Sequence, residues 1–509
     1  MTTYYLAVDI GASSGRHILF WLDGGRLKME EIYRFENGMK KKDGHLVWDV
    51  RHLFEEILTG MKHCREIGRI PVCMGIDTWA VDYVLLDESD QILGEVYGYR
   101  DARTDGMDRE VYRLIPEQQL YERTGIQKQS FNTIYQLMAD AKKRPKQLRA
   151  AKTFLMLPDY FAFRLTGVKA SEYTNATSTQ LVDPVTKQWD KELIEQLGFP
   201  SGIFLPLSRP GSPLGRLSAE MQSVVGFDCE VVQCATHDTA SAVMAMPVCT
   251  DGGKETVSGR ESARLPDGDE TDSGEAKNGK SESAGGLYIS SGTWSLMGVE
   301  LPEPNCSEQS RSDNFTNEGG YAYRFRYLKN IMGLWMIQSV RHELGDTYSF
   351  AELAEMAQRE NDFPSVVDAN DPVFLAPAHM GDAVREYCRR TKQPVPETIG
   401  QLAAVIYKSL AACYGEVLKE LERNTGRHYE SIHIIGGGCK NQYLNQLTAN
   451  AAGRVVYAGP SEATAIGNAL AQMIYRGEFA DLKQARACVG ESFEIQKFTP
   501  VYQEKEASI

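Results

Sequence analysis

The chain has 509 residues, more than one hydrophobic core usually supports, so we predict two domains of roughly 200 to 250 residues each. A net charge of -14, with Lys and Arg scattered among acids, gives no electrostatic reason to bind nucleic acid or an anionic membrane surface. Hydrophobic residues make up 42% of the chain, yet no apolar run approaches the roughly 20 residues that span a bilayer.

The ten cysteines form no C-x-x-C pair, and no histidines stand at zinc-finger spacing from them. Free thiols in a reducing compartment are therefore expected. The N-terminal segment reaches Asp9 before a signal-like apolar region can form, and no basic stretch precedes it. We expect a cytoplasmic protein, and the sequence leaves its protein partners open.

The first half predicts a meander of three strands, followed by a helix and a buried strand. Apolar runs bounded by glycine-rich turns indicate the strands, and apolar residues at helical spacing indicate the helix. The elements are strands at 4–10, 16–22 and 27–35, a helix that Asp49 caps, and a strand at 72–77.

The second half repeats this order. It predicts a hairpin at 287–301, a long helix at 399–421, a strand at 432–435 and a glycine turn at 436–438; a helix from Asn441, a strand at 454–457 and a helix that Ser461 caps follow. The repeat predicts a duplicated α/β architecture with two helix-bearing sheets.

Between the halves lies a stretch with almost no large apolar residue. Residues 251–284 are rich in Gly, Ser, Asp and Glu, so we predict a disordered acidic insertion over 248–285. The string GEAKNGKS at 274–281 matches the letters of a nucleotide-binding P-loop. A P-loop needs a preceding strand and a following helix, and neither is predicted here, so we interpret the match as chance.

The turn of the first hairpin has the composition of an anion site. Gly and Ser let backbone N–H groups point at a phosphate, and Ser13, Ser14 or Arg16 can add contacts. Asp9 at the strand end could hold Mg²⁺ through water. The alternative is a tight hairpin with a turn-stabilising Asp. A second small-residue hairpin at 290–295 strengthens the first interpretation.

Asp238 is the candidate general base. It follows a predicted strand at 230–234, and a positioned carboxylate there could take the proton of an alcohol nucleophile. The alternative for Asp238 is a helix N-cap. His237 could bind a sugar hydroxyl, or it could be a hydrogen-bonded structural histidine.

Other segments suit a carbohydrate. Trp79, between Asp77 and Asp82, offers an aromatic face beside polar groups, with core packing as the alternative. Asn314 and Asn317 have amides that can donate to and accept from hydroxyls, with turn formation as the alternative.

A series of segments resembles the FGGY carbohydrate kinases of the actin-like ATPase superfamily, through both halves apart from the insertion. The segments are DIGASSGR, GIDTWAVDYVLLD, YRDARTDG, MLPDYF, EYTNATSTQLVD, THDTASA, SSGTWSLMG, TNEGG, LKNIMGLW and IIGGGCKN. The resemblance implies two ribonuclease H-like domains with a cleft between them. A sugar-binding domain would span 1–247, an ATP-binding domain 286–490, and a tail 491–509.

The resemblance also implies residue roles. Asp238 would be the proton acceptor. ATP would contact Ala12, Ser13, Ser14, Gly15, Arg16, Thr293, Ala322 and Gly437, and Mg²⁺ would lie near Asp9. The sugar would contact Ala80, His237, Asp238, Thr239 and Asn314. Two positions depart from the pattern, because Ala80 replaces a glycine and Ala322 stands where a polar nucleotide contact is expected.

The implied reaction transfers the γ-phosphoryl group of ATP to O1 of L-rhamnulose, giving L-rhamnulose 1-phosphate in L-rhamnose catabolism. Another acceptor, such as L-fuculose, xylulose or glycerol, is an open alternative. A further alternative is an actin-like nucleotide clamp that transfers no phosphate to a sugar.

Overall fold

The computed structural model describes residues 2–247, 250–251, 254–255 and 286–501. The P-loop-like string and most of the predicted insertion lie outside the described residues. In those that are described, no helix is long and apolar enough to cross a membrane.

The described residues of the first half, 2–247, contain fourteen strands and ten α-helices. The strands are β1 Tyr4–Ile10, β2 Ser14–Asp23, β3 Arg26–Glu36, β4 Lys40–Lys42, β5 His45–Val47, β6 Pro71–Thr78, β7 Tyr83–Leu86, β8 Thr153–Met156, β9 Ser171–Glu172, β10 Val182–Asp183, β11 Gln188–Trp189, β12 Leu207–Ser208, β13 Ser212–Arg216 and β14 Glu230–Gln233. The helices are α1 Val50–Glu66, α2 Met107–Tyr112, α3 Glu117–Thr124, α4 Thr133–Lys143, α5 Pro145–Ala150, α6 Leu157–Thr166, α7 Tyr173–Thr177, α8 Lys191–Gln196, α9 Ala219–Val225 and α10 Asp238–Met244.

One six-stranded sheet organises this half, in the order β13-β14-β6-β1-β2-β3. β1 and β2 form an antiparallel hairpin, and β6 runs parallel to β1. Since the central strands are covered on both faces, β1 and β6 are buried along nearly their whole length and are largely apolar rather than alternating. Helix α1 buries Leu53, Phe54 and Ile57, and the Asp49 side chain accepts from the His52 N–H, as the capping prediction requires.

The second part of the chain contains nine described strands and eight described helices. The strands are β15 Thr250–Asp251, β16 Lys254–Glu255, β17 Leu287–Ser291, β18 Ser295–Leu301, β19 Thr316–Gly319, β20 Phe325–Ile331, β21 Ser431–Ile435, β22 Val455–Ala458 and β23 Gln496–Phe498. The helices are α11 Glu308–Ser312, α12 Trp335–Glu343, α13 Phe350–Arg359, α14 Met380–Arg390, α15 Ile399–Thr425, α16 Gln442–Ala452, α17 Ala463–Tyr475 and α18 Leu482–Ser492.

The second large sheet has seven strands in the order β19-β20-β18-β17-β21-β22-β23. Its hairpin, β17 with β18, is antiparallel, and β21 runs parallel to β17. β21 thus stands beside the first strand of the second hairpin as β6 stands beside the first strand of the first hairpin. This repeat confirms the predicted α/β class and two-sheet architecture.

Helices α17 and α18 come late in the chain but help to cover the first sheet. A buried cluster joins apolar residues of β1 and β2 to residues of α10, α17 and α18. Gly467 of α17 lies so close to α10 that a Cβ there would stand 1.7 Å from the Ser241 carbonyl oxygen. The two halves are therefore joined by a common core at this helix crossing.

The N-terminus of α17 differs from the prediction. Glu462, and not Ser461, occupies the N-cap position, and no side chain makes a capping hydrogen bond there. The predicted cap at Ser461 is wrong; Ser461 lies one residue earlier and lines a cavity between the halves.

Candidate active site

A cavity of about 400 Å³ lies between the two hairpins. The predicted site residues that line it are Asp9, Ala12, Ser13, Ser14, Arg16, Ala80, His237, Asp238, Thr239, Thr293 and Gly437. Trp79 of the predicted carbohydrate segment lines it too. Because these residues come from both sheets, the structure brings together positions nearly 430 residues apart, from Asp9 to Gly437.

Three predicted site residues do not line the cavity. Gly15 packs beneath the first hairpin, where a Cβ would stand 2.1 Å from the Phe35 ring, so its role is close packing. Asn314 adopts a left-handed backbone with a φ of 56° and closes the turn after α11. Ala322 is exposed in the turn between β19 and β20. The sugar contact of Asn314 and the nucleotide contacts of Gly15 and Ala322 therefore stay predictions, at positions outside the cavity lining.

Sequence reasoning missed five amides that line the cavity: Gln127, Gln129, Asn132, Asn330 and Gln338. Asn330 lies near the end of β20, opposite Leu296 of the second hairpin. Gln338 lies on α12, which starts directly after the turn at Gly333. The only available signal was the segment LKNIMGLW, which the resemblance quoted as a whole without singling out Asn330.

An ion-pair network fixes the charged side of the first hairpin. Arg16 donates to Asp9 Oδ2 from Nε at 3.0 Å and from Nη2 at 2.7 Å. Its Nη1 lies 3.2 Å from Glu462, at the start of α17. The hairpin is thereby tied to helix α17, which lies between β22 and β23 of the second sheet in the chain.

Three carboxylates lie near one another at this end of the cavity. Burial, together with the charge of Asp9, raises the pKa of Asp77 well above its usual range, and Asn468 donates to Asp77 Oδ2 at 2.6 Å. Burial and Asp9 also raise the pKa of Asp238, to about 6. At neutral pH Asp238 is therefore ionised, with a basicity close to that needed for a general base.

Asp238 is the first residue of α10, and His237 precedes it as the N-cap residue. The backbone N–H of Thr239 donates to Asp238 Oδ1 at 2.6 Å, and the Thr239 hydroxyl donates to the same oxygen at 3.1 Å. These bonds stabilise the ionised carboxylate and orient it. Asp238 does not cap the helix, so the capping alternative is wrong.

The ring of His237 has a defined tautomer. Arg326 Nη2 lies 2.9 Å from His237 Nδ1, and a guanidinium can only donate, so Nδ1 accepts. Burial and the Arg326 charge lower the pKa of His237 well below its usual range, so the ring is neutral. Nε2 therefore carries the proton, 3.4 Å from Asp238 Oδ1. A neutral N–H donor thus stands beside the candidate base.

The aromatic wall of the cavity is held from behind. Asp82 accepts from the indole N–H of Trp79 at 2.9 Å and of Trp48 at 2.7 Å, and the two rings lie 4.1 Å apart. Asp82 is therefore a buried support rather than a ligand group. Val81 has a φ of 67°, a rare conformation for a β-branched residue, and such strain is concentrated at binding sites.

Glycines let the second hairpin approach its neighbours. A Cβ at Gly438 would stand 2.0 Å from Ser291 Oγ, and one at Gly333 would stand 2.5 Å from the Ser295 backbone nitrogen. By contrast, nothing lies within 4 Å of the Cβ position of Gly437. The turn at Gly436–Gly438 therefore packs on the hairpin while leaving Gly437 open to the cavity.

The comparisons with known proteins agree with this geometry. Residues 4–245 match the N-terminal domain of the FGGY family of carbohydrate kinases, and residues 287–475 match its C-terminal domain. A protein named rhamnulokinase from Halalkalibacterium halodurans is 48% identical over 97% of this chain and 98% of its own length. One of the same name from Bacillus subtilis is 43% identical, over 97% of this chain and 95% of its own length.

Solved structures share the fold. A ligand-bound xylulose kinase from Lactobacillus acidophilus aligns with a TM-score of 0.75 at 15% identity, covering 98% of this chain and 94% of that one. A Plasmodium falciparum glycerol kinase with ADP aligns with a TM-score of 0.73 at 13% identity, covering 99% and 95%. The two matched domains and the nearly full-length identity lead to one conclusion: the chain belongs to the FGGY family of carbohydrate kinases and is an ATP-using sugar kinase.

Proposed function

We propose that this kinase transfers the γ-phosphoryl group of ATP to O1 of L-rhamnulose. The carrying observation is the position of Asp238, a base with a pKa of about 6, on a cavity that both small-residue hairpins also line. The name rhamnulokinase, shared by relatives that are 43% and 48% identical over nearly the whole chain, supports the choice of sugar.

On the nucleotide side, the phosphates lie between the hairpins. The turns at Ala12–Ser14 and Gly292–Thr293 supply backbone N–H groups and hydroxyls, and Arg16, which Asp9 and Glu462 hold in place, lines the same cavity. Gly437 leaves room for the nucleoside, and Gln338 adds an amide. Phosphoryl transfer requires mainly such alignment and charge stabilisation.

On the sugar side, Asp238 accepts the O1 proton as the O1–phosphorus bond forms and the bond from phosphorus to the bridging oxygen of ADP breaks. The neutral His237 donates from Nε2 to a neighbouring hydroxyl, and Thr239 keeps the Asp238 carboxylate oriented. Trp79 and the Ala80 main chain form the wall against which the sugar packs.

Asp9 fits a role as the single protein carboxylate near Mg²⁺. Described residues contain no group of three or more His, Cys, Asp or Glu side chains placed to hold a metal, but Mg²⁺ on nucleotides needs only one or two carboxylates beside phosphates and waters. When bound, Mg²⁺ would neutralise charge on the phosphates. Asp9 would hold it, because Arg16 bonds only Oδ2 and no hydrogen bond to Oδ1 is found among the described residues.

The test is a comparison of kcat/KM for L-rhamnulose, L-fuculose, xylulose and glycerol, with product position assigned by ³¹P–¹³C coupling. We expect L-rhamnulose to lead and to carry phosphate on O1. A higher kcat/KM for any other acceptor would overturn the assigned sugar, and a sugar-independent ADP release would overturn kinase activity toward all of them.

A further inference from the structure

Gln127 lines the cavity and is almost completely buried, with 2% of its surface exposed. Its Oε1 accepts from the Asn330 side-chain amide at 2.7 Å and faces the Asn330 backbone N–H at 3.4 Å. Because a backbone N–H can only donate, the atom of Gln127 that faces it is the oxygen. The Nε2 group of Gln127 therefore points away from Asn330.

That Nε2 group has no hydrogen-bond partner among the described residues. Buried polar side-chain atoms nearly always have a partner, so an orphaned donor on a cavity wall indicates a ligand acceptor. The same cavity already has an acceptor in Asp238 and a neutral donor in His237. Gln127 adds a second neutral donor on a different wall.

The loop that carries Gln127 is held firmly. Asn132 Nδ2 donates to the Gln127 carbonyl at 2.9 Å and to Gln180 Oε1 at 3.1 Å, and Gln180 Nε2 donates to the Ile126 carbonyl at 3.2 Å. These neighbouring amides thus support the Gln127 backbone from both sides. The Gln127 side chain is anchored separately by Asn330, so its donor is pre-positioned.

The loop also lies on the sugar side of the cavity. It leads into α4, whose Thr133 hydroxyl donates to the Val81 carbonyl at 2.7 Å, and Val81 directly follows Ala80. Gln127 belongs to the first half of the chain, and Asn330 belongs to the second sheet. The amide is therefore oriented by a bond that crosses between the halves.

We propose that Gln127 is a specificity-determining residue whose Nε2 donates to one hydroxyl of the acceptor sugar. The proposal rests on the sugar kinase function above and identifies a contact that completes it. Because Asn330 holds Oε1, the donor is aimed only when the two halves are in this arrangement. Sugar recognition is thereby coupled to the relative position of the halves.

The test compares Gln127→Met, which removes the donor at similar volume, with the unchanged protein. We expect sugar KM to rise by about ten- to a hundredfold, the effect of losing one buried hydrogen bond, while ATP KM changes less than about twofold. Gln233→Met is the matched control, since Gln233 is a buried amide that does not line the cavity. It should leave both KM values unchanged.

Monodeoxy analogues of the preferred ketose, whichever sugar the acceptor panel identifies, then locate the contact. On the analogue that lacks the hydroxyl bound by Gln127, we expect Gln127→Met and the unchanged protein to have the same kcat/KM. On the other analogues we expect Gln127→Met to have the lower kcat/KM. Equal losses on every analogue, or an unchanged sugar KM, would overturn the proposal. The outcome is independent of whether L-rhamnulose is the preferred sugar.

Gln127→Glu is a second variant that keeps the side-chain shape and the acceptor facing Asn330. Its sugar affinity, measured by calorimetry without ATP at pH 8, should be weaker than that of the unchanged protein, because an ionised carboxylate cannot donate. An affinity equal to that of the unchanged protein at pH 8 would contradict the donor role, even if Gln127→Met failed to fold.

Discussion

The two hairpins that face each other across the cavity have the same backbone plan and different chemistry. Each is the antiparallel start of its sheet, and each has a parallel strand beside its first strand. The first hairpin brings the Asp9–Arg16 pair to the cavity, whereas the residues of the second that line the cavity are uncharged and include the hydroxyls of Ser290, Ser291 and Thr293. The two hairpins of the duplicated fold therefore differ, because the first brings charged side chains to the cavity and the second brings neutral donors.

This difference divides the work between the halves. The first half gathers the three carboxylates Asp9, Asp77 and Asp238, and burial together with the charge of Asp9 raises the pKa values of Asp77 and Asp238. The second half supplies close-packed glycines and hydroxyls, which suit an anion without adding charge. We therefore expect variants of the Asp238 carboxylate to change chemistry, and variants of the glycines and hydroxyls of the second half to change nucleotide binding.

The largest effect should come from Asp238→Asn. An amide cannot accept the O1 proton, so kcat should fall by about 10²- to 10⁴-fold, while calorimetry shows ATP and sugar still bound. Asp43→Asn, on an exposed loop, is the matched control and should keep full turnover. Turnover of Asp238→Asn within threefold of the unchanged protein would remove Asp238 from the role of base.

Gly438→Ala should disturb the nucleotide side of the cavity, in the second half of the chain. Its Cβ would stand 2.0 Å from Ser291 Oγ and push the turn from the second hairpin. We expect ATP KM to rise by at least about tenfold and stability to fall by about 1–3 kcal/mol, the usual cost of overpacking. Gly202→Ala meets no atom within 4 Å and provides the control. A rise in sugar KM alone would contradict the assigned division between the halves.

Thr293→Val removes one hydroxyl at the tip of the second hairpin while keeping its shape. If that hydroxyl donates to a phosphate, ATP KM should rise by about tenfold, the loss of one hydrogen bond to a charged group, with sugar KM unchanged. Initial rates across an ATP titration measure this effect. An unchanged ATP KM would place the phosphates elsewhere.

The smallest effect should be a shift in pH dependence. The carboxylate of Asp238 must be ionised to act, so kcat/KM should rise with pH through about 6. Since the charge of Asp9 helps to raise that pKa, Asp9→Asn should move the rise to lower pH. Thr293→Val changes no charge, so the midpoint of the rise in kcat/KM with pH should stay where it is in the unchanged protein. A rise that moves to higher pH in Asp9→Asn would contradict this electrostatic account.

The sheets were predictable because their signals are local. Continuous apolar runs separated by Gly and Ser identified β1, β2, β17 and β18, and the repeated order identified the duplication. Asp9, Arg16 and Asp238 were identified as candidates from local position too, since Asp9 lies near the end of a predicted strand, Arg16 begins one, and Asp238 follows one within four residues. Their convergence on one cavity followed from the parallel strands that end there.

The missed residues depend on distant partners. Asn314 lies in a turn-forming segment, and its composition favours a polar site there. Asn330 lies in a strand, and the register of that strand brings Asn330 to the cavity. Gln127 becomes a candidate sugar contact only in the structure. Asn330 donates to its Oε1, and its Nε2 has no hydrogen-bond partner among the described residues. The packing of α17 on the first sheet likewise follows from tertiary contacts and not from its sequence position.

That packing has a consequence for cutting the chain. Because α17 and α18 help to bury the β1–β2 face, a fragment that ends at residue 247 would leave an apolar surface of the first sheet open to water. We therefore expect separate expression of 2–247 and 286–501 to give fragments that fold only on co-expression. The two fragments would then form a split enzyme, and kinase activity would measure their association.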